Sequence, residues 1–238
     1  MTSDFHFTFA NIEAQYRAAL NMGYQFITCL EYAERKENLP ELTIVNRVDI
    51  DFSVRKADRL REIFDRLGIK ASFFVRLHAS EYNPFSFENY LILKSIRDNG
   101  HEIGYHSEIV DQAAIWNEDA SNCLRRDINV LNQMLDLQVK GVASHGGMTG
   151  LNNLDFWQHN AASEFDLKYE AYEKTDSFNL FNSSVYISDS EWTRWKCYIN
   201  GELSHNDNRT FGEHLLDKHS LIYLLIHSDT YFDRHFYE

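Results

Sequence analysis

Two aspartates, Asp49 and Asp51, have a spacing that suits metal and proton chemistry. They stand at the end of an apolar, β-branched stretch, residues 43–51, which predicts a buried strand. Side chains two residues apart on a strand point to the same side, so both carboxylates would reach one site. Two close carboxylates repel each other unless a cation or a proton lies between them. A divalent metal bound by one aspartate, with the other free to accept a proton from water, would resolve this conflict.

Other ionisable residues also stand at or near the ends of predicted strands. They are His106 in residues 101–106, His145 in residues 139–147, Asp189 in residues 183–190 and His227 in residues 220–228. One histidine at a strand end is more often structural than a ligand. The repetition over five strands instead predicts a shared site, because the carboxyl ends of parallel strands meet at the active-site face of an α/β fold.

Helical and strand patterns alternate along the chain and would position these residues. Apolar residues recur at helical spacing in four segments: 12–20 before Gly23, 54–67 after the capping residue Ser53, about 86–99, and 124–135. A further strand pattern covers residues 71–77. This alternation predicts a parallel sheet wrapped by helices, either a barrel or a doubly wound sheet.

The composition limits the classes of function. The 238 residues are 44% hydrophobic, which is enough for one core, so we expect a single domain over 1–238. With 36 acidic and 23 basic residues, the formal charge of -13 disfavours nucleic acid and anionic membranes as partners. The aromatic residues, 13 Tyr, 17 Phe and 4 Trp, suit stacking on sugar rings and equally suit a packed core.

The cysteines and the N-terminal segment indicate the compartment. Cys29, Cys123 and Cys197 are odd in number and lack C-x-x-C spacing, so we interpret them as small buried residues and not as disulfides or zinc ligands. Residues 1–16 have acidic side chains and no apolar run, and the apolar stretch 221–226 is too short to cross a bilayer. These features predict a cytoplasmic protein without a transmembrane segment.

Two segments resemble motifs of the polysaccharide-deacetylase (NodB-homology) superfamily. Arg47-Val48-Asp49-Ile50-Asp51 resembles the first motif, in the version with one apolar residue between the aspartates. Gly-His-Glu-Ile-Gly-Tyr-His-Ser at 100–107 resembles the second motif, which is highly specific. The resemblance is clearest over residues 10–110, and it implies an irregular (β/α) barrel of about seven strands.

The resemblance also implies residue roles. Asp49 would be the catalytic base, and Asp51 and His106 would bind a divalent metal, foremost zinc. His227, in a Leu-x-His motif, would protonate the leaving amine and help to stabilise the oxyanion. Asp189 and Trp192, in the segment DSEWTRW, resemble the motif that orients this histidine and lines the pocket, although core packing explains the tryptophan equally well.

One position departs from the family pattern. The family usually has a further histidine four residues after His106, where this chain has Val110, so the third ligand must come from elsewhere. Glu108 is favoured by its proximity to His106. His145, near the usual place of an arginine-proline motif, is the other candidate, as ligand or oxyanion donor. Zinc accepts either imidazole or carboxylate.

The resemblance implies metal-dependent removal of an N-acyl group, foremost N-acetyl, from an amino sugar. A cytoplasmic location suggests a nucleotide- or lipid-linked intermediate of surface-polysaccharide assembly, such as that of lipopolysaccharide O-antigen. Hydrolysis of a non-sugar amide or ureide is one alternative. A catalytically inactive sugar-binding relative is another, because Val110 replaces a ligand. The sequence does not indicate the oligomeric state.

Overall fold

The structure is a computed structural model that describes residues 6–190 and 194–234. Ten strands lie in these ranges: β1 (Gln25–Ile27), β2 (Thr43–Ile50), β3 (Ser72–Val75), β4 (Glu102–Ser107), β5 (Gly141–Ser144), β6 (Tyr169–Glu170), β7 (Val185–Ser188), β8 (Lys196–Ile199), β9 (Glu202–Leu203) and β10 (Leu221–His227). The helices are α1 (Phe9–Asn21), α2 (Cys29–Arg35), α3 (Val54–Leu67), α4 (Phe87–Asp98), α5 (Ile109–Trp116), α6 (Ala120–Leu135), α7 (Leu180–Ser183) and α8 (Phe211–His214). Short 3₁₀ segments cover Lys36–Asn38, Asn153–Gln158, Ala162–Phe165, Leu215–Asp217 and Ser228–Thr230.

The strands form one sheet in the order β6-β5-β4-β3-β2-β10-β7-β8-β9, and β1 pairs with the start of β2. From β6 to β7 every pairing is parallel, whereas β8 and β9 are added antiparallel. Near the two ends of the parallel run, the hydroxyls of Tyr172 and Tyr186 lie 3.2 Å apart. The seven parallel strands and the helices around them confirm the predicted fold class, an irregular (β/α) barrel.

Strand β2 shows how the sheet separates two environments. Ile44 and Val48 belong to the larger core between the sheet and its helices, whereas Val45 belongs to a second cluster inside the barrel. Arg47 and Asp49 lie on the same face of β2 as Val45, towards the barrel interior, because alternate strand residues point to the same face. Every residue of β2 is buried, as expected for a strand covered on both faces.

Helix α3 illustrates the local signals that set the crossovers. The Ser53 side chain accepts a hydrogen bond from the backbone N–H of Lys56 at its start. Its apolar face is buried, and the helix ends at Gly68, which adopts φ 70°. Glycine takes this left-handed conformation without a Cβ penalty, so the chain can turn directly into β3.

Two glycines leave space for aromatic rings inside the barrel. A Cβ on Gly104 would lie 2.4 Å from the Phe74 ring, and one on Gly141 would lie 2.0 Å from the Tyr169 ring. Both aromatic side chains are fully buried. The barrel interior is therefore filled below the strand ends, which leaves the polar residues at its mouth. No helix in the described ranges is long and apolar enough to cross a membrane.

Candidate metal centre

Three side chains at the carboxyl ends of β2, β4 and β5 form a group that suits a metal ion. Asp51 follows β2, His106 lies in β4 and His145 follows β5. One potential ligand atom from each lies within 4.8 Å of the other two. The Oδ1 atom of Asp51 is 3.3 Å from Nε2 of His106 and 4.0 Å from Nε2 of His145.

His106 is held in one ring orientation. Its Nδ1 lies 2.8 Å from the carbonyl oxygen of Ala143 on the neighbouring strand, so a proton on Nδ1 leaves Nε2 free towards the aspartates. Burial alone would lower the pKa of His106, but the carboxylates of Asp49 and Asp51 outweigh it and raise that pKa. A metal cation among these carboxylates would take the place of the histidine proton.

The loop after β5 fixes His145 beside this histidine. The backbone N–H of His145 donates to the Ser107 carbonyl at 2.9 Å, and Asn153 donates to the His145 carbonyl at 3.1 Å. Asp111 of α5 in turn accepts hydrogen bonds from Asn153 and from the loop N–H of Thr149, both at 2.8 Å. Burial, together with His106 and Arg76 nearby, lowers the pKa of His145, so its ring is neutral, the form that binds metals.

Glu108 has a different partner. It forms a buried ion pair with Arg76 at 2.7 Å, and Arg76 also donates to the backbone carbonyl of Asp51 at 3.0 Å. Oε1 of Glu108 lies 3.5 Å from Nδ1 of His145, on the ring edge opposite the nitrogen that faces Asp51. Val110, at the position of the missing histidine, packs against the core between sheet and helices. The geometry therefore groups His145, and not Glu108, with Asp51 and His106.

Asp49 lies beside the group and is paired with Arg47. The guanidinium donates to both carboxylate oxygens, at 2.8 and 2.7 Å, and both side chains are buried. Burial would raise the pKa of Asp49, but Arg47 and His106 outweigh it and lower that pKa. Asp49 therefore stays ionised at neutral pH. Its Oδ2 is 3.3 Å from Nε2 of His106.

His227, at the end of β10, approaches the group from the other side. Its Nδ1 lies 2.7 Å from Oδ1 of Asp189, whose two oxygens also accept the His227 backbone N–H at 3.1 Å. Burial lowers the pKa of His227, but Asp189 outweighs it and the pKa rises to about 9. Its Nε2 lies 4.0 Å from Asp51. Trp192 lies outside the described residues.

The donor set fits a catalytic zinc ion. Two imidazoles and one carboxylate are a common set for a zinc that keeps a further position for water. Oδ1 of Asp51 is buried without a hydrogen-bond partner among the described residues. Such a buried acceptor is costly unless a ligand satisfies it, and a cation in the group would do so.

No protein-family model matches the sequence, and no curated protein matches it. Among solved structures, the deacetylase PplD of Streptococcus pyogenes, in complex with acetate, is 14% identical over 65% of this chain and 67% of its own, with a TM-score of 0.47. IcaB from Ammonifex degensii is 18% identical over 68% and 74%, with a TM-score of 0.48. The chitin deacetylase of the fungal pathogen Colletotrichum lindemuthianum is 16% identical over 42% and 45%, with a TM-score of 0.33. At such identities the likeness concerns the fold and not the activity.

Arg47 is a residue of the site whose role the sequence motifs did not assign. The resemblance placed an arginine near position 145, where this chain has histidine. Arg47 instead contacts Asp49 from the same strand, and its guanidinium lies 5.3 Å from the Phe74 ring centre and 4.8 Å from that of Tyr172. The spacing of two residues on one strand face is the signal that would have found the pair.

An aromatic cleft of about 1070 Å³ lies between the segment 152–175, which includes β6, and strands β7 and β8. Its lining includes Trp157, Tyr172, Tyr186, Ser190 and Tyr198. Tyr172, in the wall of the cleft, also stacks on the guanidinium of Arg47, and this guanidinium binds the carboxylate of Asp49. The cleft thus provides an aromatic surface that contacts the Arg47–Asp49 pair through Tyr172.

Proposed function

We propose that this protein is a metal-dependent hydrolase that removes an N-acyl group, foremost N-acetyl, from an amino sugar. The observation that carries the proposal is the convergence of the Asp51, His106 and His145 ligand atoms within 4.8 Å, with Asp49 and His227 on two sides. A metal site alone would suit many proteins. A buried ionised carboxylate and a carboxylate-bound histidine beside it are the parts of an acid–base reaction.

In this proposal the three ligands hold a zinc-type divalent ion. When bound, the ion polarises the amide carbonyl and makes water a better nucleophile at neutral pH. Asp49 stays outside the ligand set because Arg47 binds both of its oxygens. It remains ionised beside His106, and it accepts the proton that the attacking water loses.

His227 acts on the other side of the scissile bond. Its Nδ1 is bound to Asp189, so Nε2 is the atom that faces the site. The pKa of about 9 means that the ring is protonated near neutrality. It donates this proton to the departing nitrogen, because a neutral amine is a better leaving group than an amide anion. The products are a short carboxylic acid and a free amino sugar.

The aromatic cleft supports a sugar as the substrate. Flat aromatic side chains stack on the apolar faces of sugar rings, and Tyr172, Tyr186 and Tyr198 line one side of the space. The exposed ammonium of Lys174 also lines the space and would donate hydrogen bonds to sugar hydroxyls. We propose an intermediate of surface-polysaccharide assembly as the sugar. The cytoplasmic location and the single domain over 1–238 stay predictions from the sequence.

The test is a product analysis on defined substrates. Protein loaded with zinc is incubated with N-acetylated amino sugars and, separately, with cyclic ureides, and released acetate and free amines are quantified. Acetate release that is lost with a chelator and restored by zinc supports the proposal. Turnover of ureides alone would favour the non-sugar amidase. Sugar binding without turnover of any substrate, in protein that holds its metal, would favour an inactive sugar-binding relative.

A further inference from the structure

A second group of metal-ligating side chains lies away from the barrel mouth. Cys197 belongs to β8, Asp207 to the loop after β9, and His214 ends α8. One ligand atom from each lies within 4.8 Å of the other two. Cys197 pairs with Ile187 of β7, whose side chain lies in the core between sheet and helices. Directly opposed strand residues share a face, so Cys197 points to the helix layer and not to the barrel interior.

His214 makes this group unusual. The residue is completely buried, and neither of its ring nitrogens has a hydrogen-bond partner among the described residues. Its Nε2 lies 3.6 Å from Oδ1 of Asp207, which is too long for a hydrogen bond. An imidazole buried without partners costs free energy, and native structures rarely leave one so. A bound cation would satisfy one nitrogen.

Two further potential ligands lie next to His214. Asp217, His219 and His214 form another group whose ligand atoms lie within 4.8 Å of one another. Histidines that bind metals usually donate their other N–H to a carboxylate, and Asp217 is a carboxylate in this group. The Nε2 atom of His219 is likewise buried without a hydrogen-bond partner among the described residues.

The charges around the group balance with a divalent ion. Arg209 binds Asp207 through two contacts, at 3.0 and 2.8 Å, and Asp217 at 2.6 Å. Carboxylates that bind metals are themselves commonly hydrogen-bonded. Oδ1 of Asp207 also accepts the backbone N–H of Arg209, at 3.2 Å, so Oδ2 is the oxygen that keeps a lone pair for an ion. The three negative charges of a Cys197 thiolate and the Asp207 and Asp217 carboxylates would balance the positive charges of the Arg209 guanidinium and a divalent ion. Without the ion, the thiol stays protonated.

We propose that Cys197, Asp207 and His214 form a second metal site, for a zinc-type ion, with a structural role. Sulfur, nitrogen and oxygen donors together suit zinc, whereas calcium and magnesium take oxygen alone. The fourth tetrahedral position falls to water. The ion would link β8 to the loop 204–210 and to α8. This segment has little regular structure and leads into β10, which carries His227.

Cobalt(II) is the probe that separates this site from the catalytic one. A cobalt–thiolate bond gives a strong charge-transfer absorption in the near ultraviolet, which the carboxylate and imidazole ligands of the first site cannot give. Metal-free full-length protein is titrated with cobalt(II), and absorbance and bound metal are measured. We expect two cobalt ions per chain and the thiolate band.

Three variants complete the test. Cys197→Ser should lose the band and one cobalt ion. Cys123→Ser, a matched control at a cysteine outside the group, should keep both. His145→Ala should lose the other cobalt ion but keep the band, so failure of the proposed function and failure of this site are distinguishable. Absence of the band in the unmodified protein overturns the proposal even if a variant fails to fold. Persistence of the band in Cys197→Ser overturns it equally.

Discussion

The guanidinium of Arg47 donates hydrogen bonds to both carboxylate oxygens of Asp49 from the same face of β2. The pair is buried, and the fork geometry of arginine matches a carboxylate better than lysine does. It also gives the two aspartates of the first motif, Asp49 and Asp51, different chemical surroundings. Both carboxylate oxygens of Asp49 accept hydrogen bonds from Arg47, whereas Oδ1 of Asp51 has no hydrogen-bond partner among the described residues. This difference supports proton transfer at Asp49 and metal binding at Asp51.

Arg47→Gln should raise the pKa of Asp49, because it removes the charge that offsets burial. A base works only when ionised, so the acidic limb of the pH–rate profile should move to higher pH. The variant should also lose about 3–5 kcal/mol of stability, the usual cost of leaving one buried charge unpaired. Arg47→Lys keeps the charge and should show a smaller effect on both. An unchanged acidic limb in Arg47→Gln would contradict the proposed link between Arg47 and the base.

His145→Ala and Glu108→Gln should have different effects. We expect His145→Ala to lose most of the bound zinc while its fold is retained, as should Asp51→Ala and His106→Ala. Glu108→Gln should keep the metal but lose stability, because Arg76 would then be a buried cation without its partner. Metal content after dialysis and chemical denaturation measure the two effects. Full zinc occupancy in His145→Ala together with loss in Glu108→Gln would reverse the assignment.

Asp49→Asn tests the distinction between base and ligand. The amide has nearly the same shape but cannot accept the proton, so turnover should fall roughly 10²–10⁴-fold. Metal content should be unchanged. Both are measured on the same preparation, with Asp51→Asn as the comparison that should lose metal. Loss of metal in Asp49→Asn would mean that the two aspartates have exchanged roles.

Asp189→Asn should act through His227. Removing the carboxylate lowers the pKa of His227 from about 9, because the carboxylate favours the charged ring. The protonated ring is the required acid, so the alkaline limb of the pH–rate profile should move to lower pH than in the parent protein. We also expect kcat to fall more than KM changes. A pH–rate profile with the parent's alkaline limb would show that Asp189 is only structural.

His101 provides a prediction about stability. It is buried at the start of β4, where Nδ1 accepts a hydrogen bond from the Ala71 N–H and Nε2 faces Asp65. Burial, opposed only in part by Asp65, lowers its pKa from the model-peptide 6.5 to about 4. The unfolded chain therefore binds more protons between pH 6.5 and 4, so stability should fall as pH drops through this window, by up to about 1.4 kcal/mol per pH unit.

The measurement is the free energy of unfolding by urea at several pH values. His101→Gln retains an acceptor for the Ala71 N–H but does not titrate, so its slope over this window should be smaller. An identical slope in the two proteins would show that other groups cause the acid sensitivity.

The sequence by itself determined strand β2, helix α3 and the two best-matched motifs. Strand β2 and helix α3 follow from β-branched content, a serine cap and a glycine stop, which are signals within a few residues of each other. The alternation along β2 also placed Asp49 and the interior residue Val45 on one face. These properties depend on local backbone geometry, so a local pattern is enough to predict them.

The tertiary structure decided which distant side chains meet. Proximity in sequence favoured Glu108 as the third ligand, but Arg76 of another strand end binds it. Asp111 accepts a hydrogen bond from the loop N–H of Thr149, Asn153 donates one to the His145 carbonyl, and together they fix the His145 loop beside His106. The same holds for Cys197, which we interpreted from sequence as a small buried residue. Its group with His214 arises because the loop after β9 and α8 fold over β8. A glycine-rich or irregular loop carries no periodic signal, so only long-range packing determines which strand end it covers.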